Sequence, residues 1–186
     1  MFIETEQTPN PATLKFLPGQ AVLEDGTANF TTPEAAEVSP LAARLFQLPE
    51  VSGVFLGSDF VTVTKSEGEW AALKAEILGI IMDHYVSGQP MLTGKLPQAP
   101  ETSAPAGDEE TQEIIAQIRD LLDTRVRPAV AQDGGDITFH GFEDGIVYLH
   151  MQGACSGCPS SSMTLKHGIE NLLKHFVPEV TAVEAV

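Results

Sequence analysis

Basic residues are scarce in this chain of 186 residues: ten lysines and arginines stand against 26 aspartates and glutamates, which gives a formal net charge of −16. A field of that sign repels phosphate backbones and anionic lipid surfaces, so we expect neither nucleic acid nor a membrane as a partner. No apolar run reaches the ~20 residues that a membrane-spanning helix needs. Hydrophobic residues nevertheless make up 42% of the chain, which is enough for folded cores.

Cysteine is scarcer still, since Cys155 and Cys158 are the only two. The first residues show neither the basic and apolar segments of a secretory signal nor the Arg- and Ser-rich composition of a transit peptide. We therefore expect the chain as given to stay in a reducing compartment, a bacterial cytoplasm, or the mitochondrial matrix if the chain is a processed form. In such a compartment a pair of cysteines favours thiol chemistry or metal ligation over a structural disulfide.

A proline-rich stretch divides the chain at residues 96–108, LPQAPETSAPAGD. It lacks hydrophobic periodicity and aromatic residues, which predicts a linker, with an ordered surface loop as the alternative. Residues 1–95 and 109–186 then form separate domains. Because short strand patterns alternate with helix patterns in both, we expect an α+β fold of two small domains, each an antiparallel sheet with helices packed on it.

Two helix starts are predicted in the first domain. Ser39 is expected to cap a helix that has Pro40 at its first position. Ser66 and Glu69 have the spacing of a capping box. The helix that follows them has five apolar residues on its expected inner face: Trp70, Leu73, Ile77, Ile80 and Ile81. Before it, the runs VFL and FVTVT predict a β-hairpin.

In the second domain, a helix is expected to begin with Asp108 as its N-cap and to bend or end at Pro128. Arg125 and Arg127 are interpreted as solvated helix charges rather than as a clamp for a ligand. We interpret the run Asp133–Asp136 as a helix-to-strand break rather than as a metal or phosphate loop. A hairpin that turns at Asp144–Gly145, the cysteine loop and a last helix follow, and the final residues EVTAVEAV could add a strand.

Both cysteines lie in the loop GACSGCPSSS, between a predicted strand and a predicted helix. The free N–H groups and the positive end of the helix dipole are expected to lower the pKa of both thiols and so to favour the thiolate that binds metal. Two cysteines fill only half of a zinc or iron–sulfur site. Two chains related by a twofold axis offer the simpler route to four thiolates. Four histidines could complete a mixed zinc site, although none stands at zinc-ligand spacing from the pair: His140, His150, His167 and His175.

A small CxxC thiol–disulfide oxidoreductase is the alternative function, because a CxxC that opens a helix also occurs in thioredoxin-like proteins. Such a fold needs a parallel βαβ unit, whereas the second domain shows the order αββα without a parallel crossover. No aromatic residue immediately precedes Cys155.

Several longer motifs resemble those of a known family. IRDLLDTRVRPAVAQDGGDI and GACSGCPSSSMTLKHGIENLL resemble the NifU-like C-terminal domain of Nfu-type iron–sulfur proteins, while TEQTPNPATLKFLPG and SGVF…DFVTVTK resemble the Nfu N-terminal domain. The resemblance implies a 4Fe–4S cluster, with 2Fe–2S as a further possibility, bridging two protomers through Cys155 and Cys158. It implies a scaffold or carrier rather than an enzyme. Such a protein forms a homodimer when cluster-bound, takes the cluster from an upstream scaffold and passes it to apo iron–sulfur target proteins.

Overall fold

The computed structural model describes residues 2–94, 108–156 and 159–186, and for residues 159–161 the backbone alone. The chain forms two compact units, Met1–Gln98 and Ala99–Val186. The linker predicted at 96–108 lies outside the described residues except for Asp108, so its boundaries stay a prediction. Within the described ranges no helix is both long and apolar enough to cross a bilayer.

The N-terminal unit is built on a five-stranded antiparallel sheet with the strand order β1-β2-β5-β4-β3. Its strands are β1 (Glu4–Gln7), β2 (Thr13–Leu17), β3 (Ala28–Phe30), β4 (Val51–Leu56) and β5 (Val61–Lys65). Its helices are α1 (Pro33–Ala36), α2 (Pro40–Leu45) and α3 (Trp70–Ser87). Strands β4 and β5 form the hairpin that the sequence predicts.

Helix α3 covers the sheet with an apolar stripe, because residues three or four apart share one face of a helix. Leu73, Ile77 and Ile81 are buried as predicted, whereas Trp70 and Ile80 are only half buried. His84 continues the same stripe and is completely buried, and neither of its ring nitrogens has a hydrogen-bond partner.

The two predicted helix caps have different outcomes. The Ser39 hydroxyl accepts a hydrogen bond from the Ala42 N–H at 3.3 Å, which confirms it as the N-cap of α2. The capping box at Ser66 is wrong. The Ser66 hydroxyl donates to the Glu50 carbonyl at 3.2 Å, and Glu69 itself takes the N-cap position without a side-chain hydrogen bond.

The C-terminal unit places helices against a three-stranded sheet with the strand order β6-β7-β8. The helices are α4 (Glu109–Leu121), α5 (Arg127–Gln132) and α6 (Pro159–Phe176), with a π-helical turn over Leu122–Val126 between α4 and α5. The strands are β6 (Gly135–Glu143), β7 (Ile146–Gly153) and β8 (Ala182–Ala185). Asp108 takes the N-cap position of α4, but its side chain makes no capping hydrogen bond.

Pro128 does not end the helical path, but the helix is irregular directly before it. The π turn lies directly before α5 and shifts the hydrogen-bond pattern by one residue. Pro128 then falls in the first turn of α5, the part of a helix in which proline is most readily accommodated. The helical path therefore continues as far as Gln132.

The last strand makes the second sheet a mixed one. β6 and β7 are antiparallel, but β8 runs parallel to β7, with Ile146 beside Ala182. The expected αββα order without a parallel crossover is therefore wrong, because β7, α6 and β8 form a crossover unit. A strand of four residues is too short for the sequence pattern to predict whether it pairs in the parallel or the antiparallel direction. The α+β class with two domains of helices and sheets is confirmed, and the parallel β8 is the one departure from two antiparallel sheets.

Candidate functional site

Cys155 lies two positions beyond the end of β7, at the start of the loop that leads to α6. Its thiol is free, and the residue is only 6% exposed because it packs into the core of the C-terminal unit. Cys158 lies outside the described residues. The geometry of the site is therefore that of Cys155 and its surroundings.

Backbone and hydroxyl hydrogen bonds hold the Cys155 segment on both sides. The Ala154 N–H donates to the Gly134 carbonyl at 3.1 Å, which ties the segment to the turn before β6. The Ser162 hydroxyl donates to the Cys155 carbonyl at 3.1 Å, which ties it to the first turn of α6. Cys155 is thus anchored to two separate elements of the unit.

Gly135 packs closely against Cys155, a contact that the sequence does not reveal. A Cβ atom added there would lie 2.5 Å from the Cys155 Sγ and 2.8 Å from the Gln152 carbonyl oxygen. Only glycine allows the first residue of β6 to approach the sulfur so closely. The helix-to-strand break predicted at Asp133–Asp136 is confirmed, because α5 ends at Gln132 and β6 begins at Gly135. The run also provides a surface on which Cys155 packs, which the sequence analysis did not predict.

The carboxylate of Asp136, the next residue, is buried and paired with Arg127. The Arg127 Nε donates to one carboxylate oxygen at 2.8 Å and Nη2 to the other at 2.9 Å. Arg127 Nη1 also donates to Asp123 at 3.1 Å. The hydrogen bonds that Arg127 donates to Asp136 raise the pKa of the guanidinium, which therefore stays charged. Arg127 is not the solvated charge that the sequence suggests, because its partner follows across the helix-to-strand turn.

The pKa of Cys155 is shifted in the direction opposite to the prediction. Burial raises the pKa of the thiol to about 12, and the negative charges of Asp133 and Asp136 add to the rise. Removal from water disfavours the charged thiolate relative to the neutral thiol. The expected thiolate bias is wrong for Cys155 in the metal-free chain, where the thiol is protonated.

The histidines are not gathered around Cys155. His140 and His150 are half buried on the hairpin, and His167 and His175 are exposed on α6. The His150 Nδ1 lies 2.9 Å from the Val186 carbonyl oxygen. Among the residues that the structure describes, no group of three or more histidine, cysteine, aspartate or glutamate side chains could hold a metal ion.

Both units of the chain are similar to known protein families. Residues 3–88 match the family described as scaffold protein Nfu/NifU N terminal, and residues 118–184 match the NifU-like domain. These two matches define a two-domain protein of the Nfu type. The chain is 53% identical to the human "NFU1 iron-sulfur cluster scaffold homolog, mitochondrial", over all of this chain and 72% of that protein.

The chain is also 54% identical to "NifU-like protein 4, mitochondrial" of Arabidopsis thaliana, over 99% of this chain and 65% of that protein. This chain belongs to the Nfu family of iron–sulfur cluster scaffold proteins. The family resemblance inferred from the motifs is confirmed. The chain spans about two thirds of the length of the Arabidopsis relative, and both relatives are named as mitochondrial.

Proposed function

We propose that the chain carries a 4Fe–4S cluster between two copies of itself and passes it to apo iron–sulfur target proteins. The observation that carries the proposal is the free thiol of Cys155, held at the end of the hairpin against Gly135 in a chain of this family. Cys155 and Cys158 of each copy supply the four thiolates. The cluster is cargo for this protein rather than a resident group, so no substrate is turned over and the protein is not an enzyme.

The donor count supports sharing between copies. A cluster of this type is usually held by four cysteine thiolates, and the chain contains two cysteines. Within the described residues no other set of side chains supplies a metal site. A twofold axis beside the cysteine loop brings the two cysteines of one copy close to the two cysteines of the other. In such a dimer both copies contribute the same surface to the interface.

Delivery proceeds by ligand exchange. A thiolate of the target protein forms a bond to an iron, the bond from that iron to Cys155 or Cys158 breaks, and the released sulfur takes up a proton. Iron and sulfide keep their oxidation states in this exchange. The core and Gly135 support the Cys155 segment in the metal-free chain, so the segment stays ordered when its sulfur is released.

The thiol–disulfide oxidoreductase is not favoured. The crossover formed by β7, α6 and β8 removes the topological objection to it. The attacking sulfur of such an enzyme is an accessible thiolate of low pKa, however, whereas burial raises the pKa of Cys155. The relatives are also named for cluster scaffolding rather than for redox catalysis.

The partners that follow are an upstream scaffold, which supplies the cluster, and apo targets, which receive it. The N-terminal unit is proposed to recognise these proteins, because residues 1–95 contain no cysteine. The compartment is proposed to be a reducing one. The mitochondrial names of the relatives agree with the matrix alternative, and none of the comparisons supports a bacterial cytoplasm.

The test measures the iron, sulfide and zinc content of protein purified without oxygen, together with the mass of the assembly in solution. About two irons and two sulfides per chain in a dimer are expected for a shared cluster with four thiolate ligands. Half that content in a dimer would identify a 2Fe–2S cluster. Cys158→Ala should lose the cluster, while Ser156→Ala, which changes the same loop but keeps both thiols, should retain it. A colourless monomer, or a full cluster in Cys158→Ala, would refute the proposal.

A further inference from the structure

We propose that Arg127 and Asp136 are positioning residues for Cys155. Their ion pair fixes the start of β6, and the start of β6 is the surface that holds the cysteine in place. The expected effect on cluster binding rests on the proposed function. The positioning of Cys155 does not, because it is a property of the metal-free chain.

The pair has the geometry of a specific clamp. Two parallel hydrogen bonds of 2.8 and 2.9 Å join the guanidinium to both oxygens of Asp136, whose side chain is only 5% exposed. One of these oxygens also accepts from the Ile137 N–H at 2.8 Å. A carboxylate buried in this way is costly unless it is paired, so Asp136 depends on Arg127.

The clamp is connected to Cys155 through two backbone segments. Gly135 directly precedes Asp136 and packs closely against the Cys155 sulfur. Across the hairpin, Gly135 pairs with Gly153 and Asp136 pairs with Gln152, while the Gly134 carbonyl accepts from Ala154. A displacement of Asp136 therefore moves the backbone that contacts the cysteine segment, and no other part of the core has to move first.

The π turn explains how Arg127 reaches this place. The turn runs over Leu122–Val126 and ends directly before Arg127. π turns insert a residue into a helix and so rotate the side chains that follow. Asp123 on the same turn holds the guanidinium from the other side at 3.1 Å. The π turn thus places Arg127 beside Asp136, the residue that follows Gly135 in the chain.

Alkylation of Cys155 tests the positioning without any iron. In full-length Cys158→Ser, where Cys155 is the only thiol, the rate of reaction with iodoacetamide under native conditions measures how often Cys155 is exposed. Adding Arg127→Gln should raise that rate by at least about tenfold, since charge-assisted hydrogen bonds contribute about 1.5–3 kcal/mol.

The matched control is Val183→Ala in the same background. Val183 is fully buried in β8 and pairs with Val147, at the far end of β7 from Cys155. This variant loses core packing in the same unit but leaves the clamp intact. Urea unfolding of both variants shows whether they lose comparable stability. If Arg127→Gln raises the alkylation rate no more than an equally destabilised Val183→Ala, the proposal is overturned.

A second pair of variants keeps the proposal testable if Arg127→Gln does not fold. Arg127→Lys retains the charge but not the two parallel hydrogen bonds, so it should fold and still expose Cys155 more than the parent. Equal alkylation in Arg127→Lys and parent would also overturn the proposal.

With both cysteines restored, Arg127→Lys should hold less iron per chain than Val183→Ala. Equal iron content in the two variants would contradict the link to cluster binding. If the parent itself takes up no iron, the proposed function fails, while the alkylation result still decides the positioning.

Discussion

Gly135→Ala is the sharpest test of the geometry around Cys155. The new methyl carbon would lie 2.5 Å from the Cys155 Sγ, 2.8 Å from the Gln152 carbonyl oxygen and 3.1 Å from the Cys155 nitrogen. Non-bonded carbon contacts are optimal at about 3.5–4.0 Å, so the sulfur and the strand must separate by about 1 Å. Forcing an extra methyl group into a packed site costs about 1–3 kcal/mol.

The expected result is a protein that folds but binds less cluster. The free energy of unfolding of a domain is about 5–15 kcal/mol, so a loss of this size leaves most of the chain folded. The displaced sulfur should nevertheless lower the iron content after anaerobic reconstitution. Urea unfolding monitored by circular dichroism gives the stability, and iron and sulfide analysis of the same sample gives the occupancy.

Gly168→Ala is the matched control for this substitution. Gly168 lies within α6, and a Cβ atom there would meet nothing within 4 Å. Alanine favours a helix interior over glycine by about 1 kcal/mol, so the control should be as stable as the parent or more so. It should also hold a full cluster. If Gly135→Ala matched Gly168→Ala in both stability and iron content, the proposed close packing of Gly135 on the sulfur would be refuted.

Two further predictions concern the N-terminal unit. Burial lowers the pKa of His84, and the positive charge of Arg44 lowers it further. The unfolded chain therefore binds the additional proton below about pH 6.5, and the free energy of unfolding should fall as the pH drops below that value. His84→Leu should reduce this loss, and identical pH dependence of the urea midpoint in variant and parent would contradict it. Ser39→Ala removes the cap of α2 and should cost about 1 kcal/mol in the same assay, with an unchanged midpoint as the contrary result.

Local sequence patterns predict the features that depend on neighbours along the chain. Ser39 followed by Pro40 specifies a helix start by itself, and the structure confirms it. The stripe of Leu73, Ile77 and Ile81 follows from helical periodicity. His84 stands three positions after Ile81, so the same periodicity could have placed it in the core. Its polar ring is the reason that the pattern analysis did not include it.

The features that sequence analysis missed depend on contacts across the fold. Asp136, the partner of Arg127, lies beyond the helix-to-strand break. The π turn that orients Arg127 toward it has no signature in the local sequence. The pKa of Cys155 follows from its burial under Gly135, which requires the hairpin register to be known. The consecutive glycines beside Asp136 were the one available signal, because a close approach of two backbones often requires glycine. Cys158 lies outside the described residues, and its role as a ligand stays a proposal.

The parallel strand β8 also has a consequence for the order of folding. Strands β6 and β7 are joined by a tight turn at Asp144–Gly145, so they can pair by a local search within microseconds. β8 is separated from β7 by the whole of α6, so the contact between these two strands closes a longer loop and forms more slowly than the hairpin. Gly135 and Cys155 lie at the open end of the hairpin, away from its turn, where β8 makes no pairs. On a nascent chain the cysteine segment can therefore reach its support on β6 before the sheet is complete.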